Sequence, residues 1–300
     1  MGCIPTKALV RSAEAIHTAR RGAEFGFRAE VEVDFPRIVE RKNALVATVR
    51  GGLERGLEQN PGIELVRGFA RFEAANRISV EGRALQSERI IVASGVEPHI
   101  PAIPGLDEVG YLTNETLMDL EELPARLIVL GGGAEGLEFG HAFHRFGSRV
   151  TIVQRNRRLA PHEDPEISAA IEEILREEGL EILTGTAPTR VERRGAAIVV
   201  ETDSGRSLEG DALLVSTGRK PHQLTDLGIA EAGIEGDPER GIAIDEELRR
   251  RRPACSRSET CWAASSTRTS LPTRPGSRSR TRLRASTEAT DHARAGRDLH

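Results

Sequence analysis

The chain has 300 residues, a formal net charge of −4, 38% hydrophobic residues and 29% charged residues. This length allows two domains with a sizeable core, and the slightly acidic balance excludes a protein that binds nucleic acid through an overall positive field. No apolar run is long enough to cross a bilayer, so we expect neither a membrane partner nor a signal peptide. The three cysteines are an odd number and do not form a disulfide framework, which predicts a cytoplasmic location.

Two helices and several short strands are predicted in the first part of the chain. Cys3 to Arg20 is a helix, and Phe35 to Gln59 is a helix because its apolar residues recur three and four positions apart. Val96 to Leu106 contains three prolines, which forbid a helix and indicate a connector between domains. The predicted strands are Glu64 to Val66, Ala70 to Phe72, Arg77 to Val80 and Arg89 to Ala93.

From about Thr113 onward, predicted strands alternate with helices. The strands are Leu127 to Leu130, Val150 to Val153, Leu180 to Thr184 and Ala212 to Val215. One helix follows a run of glycines and ends at Phe146, another covers Pro165 to Glu178, and a β-meander covers Thr189 to Leu208. This alternation is typical of an α/β protein with a parallel sheet.

The composition changes after Leu248. From Arg249 the chain is rich in Arg, Ser, Thr and Ala and almost without Val, Ile or Phe. Such a segment buries too little apolar surface to offset its chain entropy, so residues 249–300 are predicted to be disordered. A basic arm for nucleic acid is the alternative, but the segment has no Lys and only Trp262 as an aromatic residue.

The glycines after the first strand of the second half have the spacing Gly131-x-Gly133-x-x-Gly136. Gly131 permits a tight turn, Gly133 lets the backbone approach a pyrophosphate, and Gly136 lets the helix pack closely on the strand. The helix N-terminus offers free N–H groups and a partial positive charge to the phosphates. Because a strand precedes this loop and a helix and a second strand follow it, we predict a Rossmann-like site for NADH or NADPH.

The end of the second strand selects between the two nucleotides. An acidic residue there would bind the ribose hydroxyls of NAD, whereas Arg accommodates the 2′-phosphate of NADP. The chain has Gln154 and Arg155 at this place, followed by Arg157 and Arg158, and no carboxylate. The sequence therefore favours NADPH over NADH, although a solvated basic turn would also account for Arg157 and Arg158.

Cys3 stands at the start of the first predicted helix, in the run Gly2-Cys3-Ile4-Pro5-Thr6-Lys7. A helix N-terminus and a neighbouring lysine favour the reactive thiolate form of a cysteine. The alternative is a buried and inert cysteine. With these neighbours, we favour a redox role.

These residues resemble the class I pyridine nucleotide–disulfide oxidoreductase family, which includes mercuric reductase-like and dihydrolipoamide dehydrogenase-like members. The run from Gly2 to Lys7 resembles the second half of the family's redox motif. Tyr111 to Leu117 and Gln154-Arg155 are most similar to the mercuric reductase-like members. Further similar segments follow in the family's order: Val92 to Gly95, Ile103 to Leu106, Gly131 to Glu138, and Val215 to Pro221.

The resemblance implies a path for electrons from NAD(P)H through FAD to a redox disulfide. It implies that Cys3 is the cysteine nearer the flavin, that Lys7 lies beside the flavin, and that Glu138 pairs with this lysine near the nicotinamide. It also implies FAD contacts by Thr6, Lys7, Ser94, Gly95, Thr217 and Gly218. The expected substrate is a small molecule or an ion, the expected assembly is a homodimer, and no metal site or nucleic-acid partner is expected.

The resemblance also sets the expected domains. Residues 1–112 form a partial FAD-binding domain, residues 113–248 form the NAD(P)-binding domain inserted in it, and residues 249–300 form a disordered, non-native tail. The family's second redox cysteine and its FAD glycine loop would precede Cys3, and we expect them to be missing. We therefore expect this chain by itself to have little or no activity.

The expected tail rests on a shift of the reading frame. Codons for Pro253 to Trp262, read from the third base of each codon, can give Gly-Val-Phe-Ala-Ile-Gly-Asp-Val-Leu, which is the strand that the family has here. We infer a frame slip between Leu248 and Pro253, and a natural disordered extension is the alternative. With the slip, the dimerisation domain and its catalytic His–Glu pair are expected to be lost, and Cys255 and Cys261 have no role.

The glycine loop departs from the family at Ala134 and Glu135, where the family usually has Tyr and Ile. Ala134 leaves the nicotinamide pocket open, and Glu135 needs solvent or a partner. The leading hypothesis is an FAD-dependent, mercuric reductase-like disulfide oxidoreductase. The alternatives are a dihydrolipoamide dehydrogenase-type enzyme and a non-catalytic NAD(P)H-binding remnant.

Overall fold

The computed structural model describes residues 2–221, 224–238, 240–244 and 260–263, the last four by their backbone alone. Contacts divide the chain into the units Met1–Ser266 and Thr267–His300, and the second unit lies outside the described residues. The predicted domain boundary at residues 112 and 113 falls inside the first unit and stays a prediction.

The described part of the chain forms α-helices and strands, which alternate between residues 106 and 184. The helices are α1 (Cys3–Arg20), α2 (Phe35–Glu58), α3 (Leu106–Val109), α4 (Ala134–Phe146) and α5 (Pro165–Glu177). The strands are β1 (Ala70–Ala74), β2 (Arg77–Val80), β3 (Arg83–Gln86), β4 (Arg89–Val92), β5 (Val96–Pro98), β6 (Arg126–Leu130), β7 (Arg149–Gln154), β8 (Glu181–Thr184), β9 (Pro188–Arg194), β10 (Ala197–Thr202), β11 (Ser207–Gly210), β12 (Ala212–Val215), β13 (Arg219–Pro221), β14 (Gly236–Asp237), β15 (Gly241–Ile242) and β16 (Thr260–Ala263).

A four-stranded parallel sheet in the order β12-β6-β7-β8 carries the nucleotide loop. Successive residues of β6 point to opposite faces, so its apolar residues divide between two cores. Leu127 and Val129 pack with α1 and α4 on one face, and Ile128 and Leu130 pack with the meander β9-β10-β11 on the other. Because both faces are covered, β6 and its neighbours are continuously apolar. The predicted α/β fold with a parallel sheet and a meander is confirmed.

Aromatic side chains anchor α2 to α4 beneath this sheet. Phe35 at the start of α2 meets Phe143 and Phe146 of α4 edge to face, with ring centroids 5.6 and 5.8 Å apart. All three rings are buried, and Leu9 and Ala13 of α1 lie in the same core. The two helices of the first part of the chain therefore share one core with the nucleotide-binding sheet.

Smaller sheets occupy the rest of the first part of the chain. Strands β1, β2 and β3 form an antiparallel sheet, and β5 pairs with β13 across the connector. The predicted strand at Glu64 to Val66 is wrong: these residues form no ladder with any strand that the structure describes, and Leu65 within the segment and Ile63 before it are exposed. Strand β3 and the strand inside the predicted connector were not anticipated, because both are short and lack apolar alternation.

The predicted disordered tail falls on residues that lie outside the described part, except for β16. Residues 260–263 pair in parallel with β4, with Thr260 opposite Arg89 and Ala263 opposite Val92. For these four residues the prediction of disorder is wrong, since their backbone groups form a ladder with β4. The inferred frame slip and the losses expected from it stay predictions.

One carboxylate joins the ends of three helices. Glu178, which directly follows α5, accepts hydrogen bonds from Nε and Nη2 of Arg145 at 2.9 and 2.7 Å. The same carboxylate lies 2.8 Å from Nε2 of His141 on α4 and 3.6 Å from Nδ1 of His17 on α1. This cluster fixes α1 against α4 and α5, and thereby fixes the helix that carries Cys3 and Lys7.

The charges of this cluster determine how its stability depends on pH. Burial raises the pKa of the Glu178 carboxyl, but the hydrogen bonds from Arg145 and His141 outweigh it and lower that pKa from 4.5 to about 2. A carboxyl with a lowered folded pKa contributes stability above pH 4.5, and that stability is lost as the pH falls toward 2. Burial also lowers the pKa of His17 and His141 from 6.5, so their contribution is lost as the pH falls below 6.5.

Replacing Glu178 by Gln tests this cluster. We expect Glu178→Gln to lower the free energy of unfolding at pH 7 by about 2–3 kcal/mol, because Arg145 loses its carboxylate. The variant should also lose the steep fall in stability between pH 4.5 and pH 2. Urea unfolding at a series of pH values measures both effects, with Glu177→Gln, the exposed neighbour, as the matched control. Equal stability of the two variants across this range would contradict the account.

Candidate nucleotide and redox site

The glycine turn after β6 is held by backbone contacts that exclude side chains. Gly131 has φ +114°, a conformation open to glycine, and its N–H donates to the carbonyl of Val153 at 2.9 Å. A Cβ on Gly131 would lie 2.3 Å from the carbonyl oxygen of Ser216. The Ser216 hydroxyl donates to the carbonyls of Leu130 and Gly131 at 3.2 and 3.3 Å. Ser216 therefore fixes the turn from the end of β12.

Gly136 and Gly133 have different surroundings in the same turn, one closely packed and one open. A Cβ on Gly136 would lie 2.0 Å from the carbonyl oxygen of Gly131, so only glycine lets α4 lie this close to the turn. A Cβ on Gly133, the residue before α4, would meet no atom within 4 Å. The structure thus leaves open space at Gly133, in front of the N-terminal N–H groups of α4, where the sequence places a pyrophosphate.

Gln154 at the end of β7 binds the glycine loop through its side chain. Its side chain is buried; Oε1 accepts the N–H of Gly132 at 3.0 Å, and Nε2 donates to the carbonyl of Arg158 at 3.3 Å. Arg155 directly follows and is exposed. Gln154 thus shapes the loop, and Arg155 is the residue at this strand end whose charge faces solvent.

Lys7 of α1 and Glu138 of α4 form an ion pair, although they are 131 residues apart in the chain. The side chain of Lys7 is 62% exposed and that of Glu138 is 37% exposed, so the pair lies at the surface between the two helices. Cys3 is exposed and one helical turn before Lys7, on the same side of α1. The structure therefore brings the three residues assigned to catalysis to one place.

The residues assigned to FAD are divided among three places. Thr6 is buried, and its hydroxyl donates to the carbonyl of Gly2 at 3.0 Å, within the first turn of α1. Ser94 and Gly95 are exposed after β4, and Gly95 has φ +83°. They precede β5, whereas Thr217 and Gly218 precede its antiparallel partner β13. The last two pairs therefore lie at opposite ends of a ribbon about 10 Å long.

Thr217 and Gly218 are fixed by the connector. The Thr217 hydroxyl donates to the carbonyl of His99 at 2.8 Å, and the N–H of His99 donates to the carbonyl of Gly218 at 2.9 Å. These bonds hold the turn that leads from the parallel sheet into β13. The predicted role of the proline-rich segment as a crossover between domains stays a prediction.

The sequence analysis did not assign Arg219 or Ser216 to the site. Arg219 forms an ion pair with Glu135, with Nε of Arg219 3.0 Å from Oε2 of Glu135. The signal in the sequence was Glu135 itself, a charge beside the glycine loop that required solvent or a partner. Arg219 could not be identified from spacing, because 84 residues separate it from Glu135. Spacing did not identify Ser216 either.

The described residues contain neither a membrane-spanning helix nor a metal-binding cluster. No helix in the described ranges has both the length and the apolar character needed to span a membrane. Among the side chains that the structure describes, no three His, Cys, Asp or Glu residues come together in a way that could hold a metal ion.

The fold is that of an α/β protein whose glycine-rich turn follows a strand of a parallel sheet and opens a helix. The chain belongs to the pyridine nucleotide-disulphide oxidoreductase family, whose sequence model matches residues 1–255. Members of this family are enzymes that use FAD together with NAD(P)H. The family resemblance noted from the sequence is therefore confirmed.

The chain is similar to named members of this family. A mercuric reductase of Bacillus cereus is 39% identical over 253 residues, which are 83% of this chain and 40% of that protein. A dihydrolipoyl dehydrogenase of Thermus scotoductus is 36% identical over 248 residues, which are 81% of this chain and 53% of that protein.

A solved structure shows the same fold. The HOCl-induced flavoprotein disulfide reductase RclA of Escherichia coli matches with a TM-score of 0.74 and 31% identity, over 87% of this chain and 55% of that one. The chain thus spans about half the length of the relatives it matches.

Variants of two glycines distinguish the close packing of α4 at Gly136 from the open space at Gly133. We expect Gly136→Ala to lower the free energy of unfolding by about 1–3 kcal/mol, because its Cβ meets the Gly131 carbonyl. Gly133→Ala should lower it by less than about 1 kcal/mol, since its Cβ enters open space. Urea unfolding of both variants measures the difference, and a Gly133→Ala variant that is the less stable of the two would contradict this geometry.

Proposed function

We propose that this chain supplies the nucleotide site and the redox helix of an FAD-dependent NAD(P)H disulfide oxidoreductase of the mercuric reductase-like type. The observation that carries the proposal is the Lys7–Glu138 ion pair. It joins the helix that bears Cys3 to the helix whose N-terminus faces the nucleotide loop. A redox cysteine and a nicotinamide site must lie close to one flavin for electrons to pass between them.

The residues around the glycine turn fit a dinucleotide. The N–H groups that follow Gly131 and the positive end of α4 would hold the two phosphates. Gly133 leaves the space that a pyrophosphate needs, and Gly136 keeps α4 close to the turn. Arg155 is exposed beside the loop and would bind a 2′-phosphate, which favours NADPH over NADH.

The redox helix would act through three side chains. A bound FAD would supply a two-electron relay between the nicotinamide and the cysteine. Cys3, at the first position of α1 and one helical turn before Lys7, would be the sulfur that exchanges electrons with the flavin. Glu138 would hold Lys7 in place beside the flavin. Thr6, Ser94, Gly95, Thr217 and Gly218 stay assigned to FAD as part of this proposal.

The electron acceptor is proposed to be a small molecule or an ion. Relatives named mercuric reductase and dihydrolipoyl dehydrogenase support a mercuric ion or a lipoamide disulfide; the mercuric reductase of Bacillus cereus is 39% identical to this chain and the dihydrolipoyl dehydrogenase of Thermus scotoductus 36%. A homodimer without nucleic-acid or membrane partners is proposed for the complete enzyme. A cytoplasmic location is also proposed, because the three cysteines are an odd number and do not form a disulfide framework.

A second candidate is a module that binds NAD(P)H without catalysis. It is favoured by the fact that the whole glycine loop is assembled within residues 126–216, from β6, α4, β7 and the end of β12. Such a module would bind the nucleotide and would have no use for Cys3.

Flavin binding distinguishes the two candidates. If the chain supplies part of the oxidoreductase, the purified chain supplied with FAD should retain yellow absorbance, while it turns over little or no NADPH by itself. Cys3→Ser should change the visible spectrum without changing NADPH binding, because the thiol lies on the flavin side of the site. Gly133→Ala is the matched control, which should weaken NADPH binding and leave the flavin spectrum as it was. A colourless chain that still binds NADPH would support the module.

A further inference from the structure

Glu135 introduces a negative charge at the end of a helix that is proposed to bind phosphates. It is the second residue of α4 and the acidic residue of the first turn, two positions after Gly133. The positive end of the helix dipole stabilises such a carboxylate, but it also stabilises a phosphate at the same end. A carboxylate at this position therefore opposes the binding of a nucleotide unless another charge neutralises it.

Arg219 supplies that charge from another part of the fold. It lies at the start of β13, and its Nε and Nη2 both donate to Oε2 of Glu135, the first at 3.0 Å. The side chains are 33% exposed for Arg219 and 23% exposed for Glu135, so solvent screens this pair less than a fully exposed one. The guanidinium of Arg219 is thus paired with the carboxylate of Glu135, at the end of α4 that faces the glycine turn.

We propose that the Glu135–Arg219 pair sets the affinity of the nucleotide site. Paired with Glu135, Arg219 cancels the carboxylate that would repel the pyrophosphate. Released from Glu135, the same guanidinium lies beside the loop as an additional phosphate ligand. The inference rests on the proposed function, because it requires that the loop around Gly133 binds a nicotinamide dinucleotide.

Substitution of Arg219 and substitution of Glu135 should have opposite effects on the affinity for NADPH. Arg219→Gln leaves Glu135 charged and unpaired, and should weaken NADPH binding about tenfold. Glu135→Gln removes the repulsion and frees Arg219, and should strengthen binding about threefold to tenfold. The double variant lacks both charges and should bind close to the affinity of the unchanged chain. A pair that only stabilises the fold predicts no change of affinity in any of the three.

The experiment measures NADPH binding to the full chain by nicotinamide fluorescence at low and at high salt. High salt should reduce the differences between variants, because the effect is electrostatic. Arg194→Gln breaks a comparable ion pair with Glu192 in the meander and is the matched control, expected to leave affinity unchanged. Thermal unfolding of each variant reports whether it is folded. If Arg219→Gln does not fold, Glu135→Gln and the charge-preserving Arg219→Lys carry the test, the latter expected to bind within about twofold of the unchanged chain.

The outcomes separate this inference from the proposed function. Weaker binding in Arg219→Gln together with stronger binding in Glu135→Gln supports the inference. If the unchanged chain binds NADPH and all variants bind equally, the pair has no role in affinity and the inference is overturned, while the proposed function stands. If the unchanged chain does not bind NADPH, the proposed function is overturned and the inference with it.

Discussion

The architecture of the site depends on one close approach between two pieces of backbone. The first turn of α4 lies so near the glycine turn that a Cβ on Gly136 would stand 2.0 Å from the Gly131 carbonyl oxygen. This approach aims the N-terminal N–H groups of α4 at the space beside Gly133. It also fixes where the outer surface of α4 lies, and therefore where Glu138 and the cluster at the end of the helix meet α1.

The two parts of the chain are joined along α4. At one end of the α1–α4 contact, Glu138 meets Lys7; at the other, Arg145 and His141 share Glu178 with His17. Between them, buried apolar side chains of α1 lie in the same core as Phe139 and Phe143. Held in this way, α1 keeps a constant distance from the nucleotide loop. The electron transfer that we propose through a flavin between them would require this constancy.

Local patterns in the sequence were sufficient to predict several of the helices and strands that form this site. The prediction of a helix at Cys3 to Arg20 and of strands at Arg77 to Val80 and Ala212 to Val215 agrees with the structure residue for residue. Apolar periodicity and glycine spacing determine such elements within a short window. The prediction failed at Glu64 to Val66, where a short apolar run has no strand to pair with. Strand formation depends on a partner that the local sequence does not name.

The long-range contacts of the site could not be derived from spacing. The Lys7–Glu138 pair was expected only from the resemblance to the family, because nothing in either helix indicates the other. Arg219 was found only in the structure, although Glu135 signalled that a partner was needed. Gln154 was expected to contact the nucleotide, and the structure also gives its amide two hydrogen-bond partners that the sequence did not indicate, the N–H of Gly132 and the carbonyl of Arg158. Hydrogen bonds between distant segments depend on the tertiary fold, which a single sequence does not specify locally.

We propose that the loop from Gly131 to Gly136 is the nucleotide site and lies next to the helix that carries Cys3. A crystal structure of the chain grown with NADP⁺ tests it most directly. The account predicts a pyrophosphate at the N–H groups around Gly133, the 2′-phosphate at Arg155, and the nicotinamide end directed toward Glu138 and Lys7. A nucleotide bound elsewhere, or one whose nicotinamide points away from the Lys7–Glu138 pair, would contradict it.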